Sequence, residues 1–132
     1  SASKNNKKTN ILGVTVLTSL DEKQTLKYYR ERNVNILVKK FANFAKKNNL
    51  SGLVCSPLEI NIVRQEVGKK MILVVPGIRP DKKFLSKKDD QKRTLTPKEA
   101  IALGADFLVI GRPIIESKNP LETIKKINHS IQ

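Results

Sequence analysis

Apolar, β-branched runs that do not alternate with polar residues recur along this chain, each followed by a stretch of helical period. Residues 11–18, ILGVTVLT, read as the first buried strand. Leu53–Ser56, Met71–Val75 and Phe107–Ile110 read as three more. Strands that are apolar on both sides belong in a parallel sheet with both faces covered.

The intervening segments carry helix signals. Over residues 34–47, Val34, Leu37, Phe41, Phe44 and Ala45 share one face, with Lys39, Lys40, Lys46 and Lys47 elsewhere. Pro57 opens a second helix, with Ile60, Val63 and Val67 on one side. Thr96, Pro97 and Glu99 form a capping box, and Gly104 stops the helix that follows. Asn119-Pro120 opens the last helix, with Leu121, Ile124 and Ile127 inward. Residues 77–95 are charged and without period, the mark of a functional or mobile loop.

Strand–helix repeated four times fits a small doubly wound domain or half of an eightfold barrel. A whole barrel needs about 250 residues, and this chain has 132. An isolated half barrel leaves two unpaired sheet edges. The expectation is one partial domain over residues 1–132, lacking an N-terminal half.

Composition narrows the function classes. One Cys excludes an internal disulfide framework, and one Cys with one His excludes an ordinary zinc cluster. No apolar run approaches the roughly 20 residues of a membrane helix. The first ten residues are polar and basic, unlike a secretory signal. A cytoplasmic protein with no membrane partner is expected. The net charge of +14 invites a nucleic-acid reading. Lysine outnumbers arginine 20 to 6, however, and comes in scattered doublets that suit solvated helix faces. Two Tyr and four Phe make a poor stacking platform, so no nucleic-acid partner is expected. Cys55, on a buried strand, reads as an inert packed thiol. His129 reads as a polar group near a helix C-terminus. The cluster Lys82, Lys83, Lys87 and Lys88 reads as solvated, with a capacity to concentrate anionic ligands.

Two strand ends carry chemistry. Val74–Pro80 reads V-V-P-G-I-R-P, and Val109–Pro113 reads V-I-G-R-P. In each, glycine follows an apolar strand and arginine comes within two residues. Glycine permits positive φ and close backbone approach. Turn N–H groups can point at phosphate oxygens, and arginine adds a forked, permanent charge. In eightfold barrels the loops after strands seven and eight frequently bind phosphate.

These stretches, with V-T-V-L-T-S at Val14–Ser19, G-L-V-C-S at Gly52–Ser56, D-Q-K-R at Asp90–Arg93, L-T-P-K-E-A at Leu95–Ala100 and G-A-D-F-L-V-I-G-R-P at Gly104–Pro113, resemble the bacterial type of orotidine 5′-phosphate decarboxylase. Their order and spacing match its C-terminal half. The resemblance implies an α/β fold, namely strands five to eight and their helices from a TIM (β/α)8 barrel. It implies conversion of orotidine 5′-phosphate to UMP and CO2 in pyrimidine synthesis, without cofactor or metal, by a homodimer when full length. Thr18 matches the family's substrate-contacting threonine of the fifth strand. Arg79 and Gln91 match the arginine and glutamine of the strand-seven loop. Gly111 and Arg112 match the pair that holds the 5′-phosphate. Val75 departs from the Thr that bacterial members often carry there. The family's catalytic D-x-K-x-x-D is absent from this sequence, so no catalytic residue is assigned and this half alone is expected to be inactive. The rival readings are another sugar-phosphate-binding barrel and a basic nucleic-acid-binding domain.

Overall fold

The computed structural model describes residues 9–16, 20, 22–80 and 94–132. Thr18, Gln91 and most of the charged loop lie outside them. In chain order the elements are β1 (Leu12–Val14), α1 (Glu22–Tyr29), α2 (Val34–Lys47), β2 (Gly52–Val54), a 3-10 turn (Pro57–Glu59), α3 (Ile60–Val67), β3 (Ile72–Pro76), α4 (Pro97–Ala102), β4 (Phe107–Val109), α5 (Arg112–Ile115) and α6 (Pro120–Ser130). The four strands form one parallel sheet in sequential order.

Helix starts follow the local chemistry. Asn33 caps α2, its Oδ1 accepting from Asn35 N at 3.0 Å and Ile36 N at 3.3 Å. Thr96 and Glu99 close the expected capping box on α4: Thr96 Oγ1 accepts from Glu99 N at 3.3 Å, and Glu99 Oε2 accepts from Thr96 N at 2.8 Å. Gly104, at φ 106°, ends the segment after α4 in the left-handed region. Asn119 Oδ1 accepts from Glu122 N at 3.2 Å to start α6.

The core lies on one side of the sheet. Leu53, Cys55, Leu73 and Val75 pack against Val38 and Ala42 of α2, Ile60 and Val63 of α3, and Ala100 of α4. The expectation of cover on both faces is therefore not met among the described residues. Side chains alternate along a strand, and the other face carries Leu12, Val14, Phe107 and Val109, which are 37%, 56%, 59% and 51% exposed. A sheet cut from a closed barrel shows this asymmetry, because only one face meets its own helices.

Other expectations are corrected. Phe44 is 67% exposed. The buried face of α2 centres on Val38, Ala42 and Ala45, and at about 100° per residue Phe44 falls past the edge of that arc. In α6 only Ile127 is buried, while Leu121 and Ile124 are exposed; β4 is the last strand of the sheet, so among the described residues no further strand lies beside it. β1, β2 and β4 are shorter than the apolar runs, because only three residues of each pair, while β3 keeps five residues but starts one later, at Ile72. Helix α1 was not anticipated, since it buries only Thr25 and so carries no apolar period. Helix α5 is a single turn, below the length that periodicity can detect.

A polar clamp joins β3 and β4 at their N-terminal ends. Arg64 Nη1 donates to Gly68 O and Met71 O, both at 2.8 Å. Its Nη2 donates to Gly104 O and, at 2.8 Å, to Asp106 Oδ2. The same Asp106 oxygen accepts from Leu73 N at 2.7 Å, while Asp106 N donates to Leu73 O at 3.0 Å. One guanidinium thus ties the end of α3, the start of β3 and the turn into β4. We predict that Arg64→Met lowers unfolding free energy by about 1–2 kcal/mol in urea titrations, because it takes a donor from three carbonyls and from the partly exposed Asp106 carboxylate, which keeps its bond from Leu73 N. Arg64→Lys should recover little, lacking the planar fork. A loss below about 0.5 kcal/mol would contradict the clamp's role.

Candidate functional site

The two glycine–arginine turns leave neighbouring strands at the same end of the sheet. Pro76 and Val109 are paired in register across β3 and β4. Arg79 and Arg112 each lie three residues beyond that pair, so the turns start level. Gly77 adopts φ 79°, the conformation glycine was expected to supply after β3. Gly111 does not: its φ is −106°. A Cβ built on Gly111 would meet nothing within 4 Å, so no described atom of this chain crowds that backbone.

Gly111 is exposed, and its carbonyl accepts from Ile114 N at 2.8 Å and Ile115 N at 3.1 Å. Arg112 is exposed, in the first position of α5, and Pro113 beside it contributes no N–H. Arg79 is 5% exposed, and its Nη1 donates to Ile78 O at 3.1 Å. Its backbone N–H donates to Leu95 O at 3.0 Å. That bond ties together the two flanks of residues 81–93, the segment that carries Gln91. Of the five sequence-derived site residues, three are described and stand on adjacent strand ends; Thr18 and Gln91 are outside the described residues.

A buried acidic group sits at the carboxyl ends of β1 and β2. Glu59 is 7% exposed, and its Oε2 accepts from Ser56 N at 3.2 Å. Thr15 Oγ1 lies 3.4 Å from the same oxygen and 3.2 Å from Val54 O. The sequence reading passes over Glu59, although S-P-L-E repeats the spacing of T-P-K-E at Thr96–Glu99. Beside it Cys55 is 2% exposed. Burial, and then the Glu59 carboxylate, push its thiol from the ordinary 9.0 up to about 12, against the opposing charge of Arg64. A neutral, enclosed thiol is a poor nucleophile, as the sequence led us to expect.

Elsewhere the charge is solvated. Lys39, Lys40, Lys46, Lys47, Lys69, Lys70, Lys125 and Lys126 are all exposed. A shallow groove on the outer side of α2 and α3 includes Lys39, Lys40, Lys47 and Glu66, but it lies away from the strand ends. Lys39 pairs with Glu66 at 3.8 Å and Lys40 with Glu31 at 3.5 Å. His129 is exposed in the last turn of α6. Among the described residues no group of three or more His, Cys, Asp or Glu could hold a metal ion, and no helix is long and apolar enough to cross a membrane.

Comparison with known proteins converges on one family. The family model described as "Orotidine 5'-phosphate decarboxylase / HUMPS family" matches residues 1–127. The chain is 47% identical over 125 residues to an orotidine 5'-phosphate decarboxylase of Wolbachia pipientis subsp. Culex pipiens, covering 95% of this chain and 54% of that one. It is 43% identical over 121 residues to the same-named protein of Glaesserella parasuis, covering 92% and 51%. A crystal structure of orotidine 5'-phosphate decarboxylase from Lactobacillus acidophilus superposes with a TM-score of 0.73 at 30% identity, over 92% of this chain and 48% of that one. The chain therefore spans about half the length of the relatives it matches. Its four strands and their helices are half of a TIM barrel.

Cys55 makes stability depend on alkaline pH. Its folded-state pKa lies above its unfolded value, so its contribution is complete below pH 9.0 and is lost as pH rises toward about 12. Urea midpoints measured from pH 8 to pH 11 should fall more steeply for the wild type than for Cys55→Val. Parallel slopes would contradict the assignment.

Proposed function

The chain belongs to the orotidine 5'-phosphate decarboxylase / HUMPS family, and from that premise we propose that the whole protein decarboxylates orotidine 5′-phosphate to UMP and CO2, within pyrimidine synthesis. The observation that carries this reading is the level pair of turns after β3 and β4, P-G-I-R-P and V-I-G-R-P, on a chain of this family. In this reading Gly111 offers its backbone to the 5′-phosphate and Arg112 supplies the forked charge. Arg79, held inside by its own carbonyl neighbour, adds positive potential next to them. Thr18 contacts the substrate, and Gln91 reaches it from the segment whose flanks meet at Arg79 and Leu95.

The division of labour is physical. This half lacks D-x-K-x-x-D, so the reacting carbon is handled by residues outside it. Phosphate contacts act at a distance: they do not touch the bond that breaks, but their binding energy stabilises the closed state in which it breaks. The reading calls on no cofactor, metal or nucleic acid, assigns the protein to the cytoplasm, and takes the working form to be a homodimer. Solvated, partly paired lysines support the choice of a small anion over a polynucleotide.

The test is a chimera that joins the first half of the Wolbachia relative to this chain. It should decarboxylate orotidine 5′-phosphate. Arg112→Ala in that chimera should lower kcat/KM by roughly 30- to 1000-fold, or about 2–4 kcal/mol. A change below about threefold would overturn the assignment of Arg112 to phosphate. A well-folded chimera with no activity would overturn the decarboxylase reading.

A further inference from the structure

One buried carboxylate joins the points where the chain leaves β1 and β2. On β2 the ladder continues to Cys55, whose N donates to Val74 O at 3.2 Å. The next amide, Ser56 N, donates to Glu59 Oε2 at 3.2 Å. On β1 the ladder continues to Thr15, whose N donates to Val54 O at 3.0 Å. The Thr15 hydroxyl then lies 3.4 Å from that same Glu59 oxygen, across 44 residues of sequence. Thr15, Ser56 and Glu59 are all buried.

Starting a helix does not require this arrangement. The chain carries the same device a second time in T-P-K-E, where Glu99 Oε2 accepts from Thr96 N at 2.8 Å and Glu99 is exposed. A capping box is complete within four residues. Glu59 adds burial and a contact to another strand. Burying a carboxylate is costly unless hydrogen bonds hold it, so a glutamate that only capped a helix would stay at the surface, as Glu99 does.

The sheet order gives the carboxylate its place in the site. The glycine–arginine turns leave β3 and β4, and the strands run in the order β1-β2-β3-β4. Neighbouring strands are about 4.8 Å apart, so the exit of β1 lies up to about 14 Å from that of β4. A nucleotide gripped by its phosphate at β3 and β4 extends along this rim, and its ribose and base reach the exits of β1 and β2. Thr18, a substrate contact under the decarboxylase reading, follows Thr15 by three residues.

We propose that Glu59 is a positioning residue for the nucleoside part of the substrate. It fixes the exits of β1 and β2 against each other, so that the segments leaving them start from set points. It acts through Thr15 and Ser56. The role rests on the decarboxylase reading and deepens it, because it separates the holding of the nucleoside from the holding of the phosphate.

The test uses the full-length chimera, with UMP and ribose 5-phosphate as competitive inhibitors. Glu59→Leu should lower kcat/KM about tenfold or more and weaken UMP by a similar factor. Inhibition by ribose 5-phosphate should stay within about twofold, since the phosphate turns are untouched. Glu59→Gln keeps an oxygen acceptor and should restore most of the preference for UMP. Asn33→Ala, which removes the cap of α2, should lower the urea midpoint and leave both inhibition constants unchanged. Should Glu59→Leu fail to fold, Thr15→Val decides. It removes the cross-strand hydroxyl and should narrow the preference for UMP by about threefold or more, while Thr15→Ser restores it. An active chimera in which Glu59→Leu weakens both inhibitors equally, or neither, overturns the positioning role and leaves the decarboxylase reading standing. So does an unchanged preference in Thr15→Val. A well-folded wild-type chimera without activity overturns that reading, and this role with it.

Discussion

Asp106 grips Leu73 from both sides: its carboxylate accepts from Leu73 N at 2.7 Å and its own N–H donates to Leu73 O at 3.0 Å. Arg64 holds that carboxylate in place at 2.8 Å. The consequence is register. With Asp106 opposite Leu73, Val74 meets Phe107 and Pro76 meets Val109. A slip of one residue would turn every β4 side chain to the other face and would stagger the two turns that follow. The clamp sits at the amino ends of the strands, and the candidate phosphate grip at the carboxyl ends. In eightfold barrels the first end serves stability and the second carries chemistry. Here a strut of β3 and β4 links them.

The same register explains the sheet's asymmetry. Leu53, Leu73 and Val75 face the helices and are at most 1% exposed. Val14, Phe107 and Val109 face away and remain half exposed. A sheet that is apolar on both faces yet covered on one is not a complete solution to burial. It is the geometry of a barrel wall, in which the inner face meets other strands. The relatives, about twice as long, have chain enough to provide them.

What was legible in the sequence was local. Helix α2 spans Val34–Lys47, the boundaries its period gives, and Thr96, Pro97 and Glu99 start α4 as their spacing requires. Both depend on neighbours within a few residues. Phe44 was misread because a helical arc has an edge, and only tertiary packing decides which side of it a residue takes. Helix α1 was invisible because tertiary context, not an apolar stripe, holds an eight-residue segment that buries Thr25 alone. At the site, glycine and arginine at two strand ends were readable as a pattern. That the turns start level was not, since it depends on Arg64 and Asp106, 42 residues apart. Nor was the burial of Arg79, which a sequence pattern cannot distinguish from an exposed anion ligand.

The central claim is that the turns at Gly77 and Gly111 form one phosphate site. Amide chemical shifts of the isotopically labelled chain, recorded during titration with UMP and separately with uridine, test it most directly. The account predicts that Gly77, Gly111 and Arg112 shift together and saturably with UMP, and stay still with uridine. Equal responses to both ligands, or UMP shifts confined to the lysine-bearing faces of α2 and α6, would contradict it.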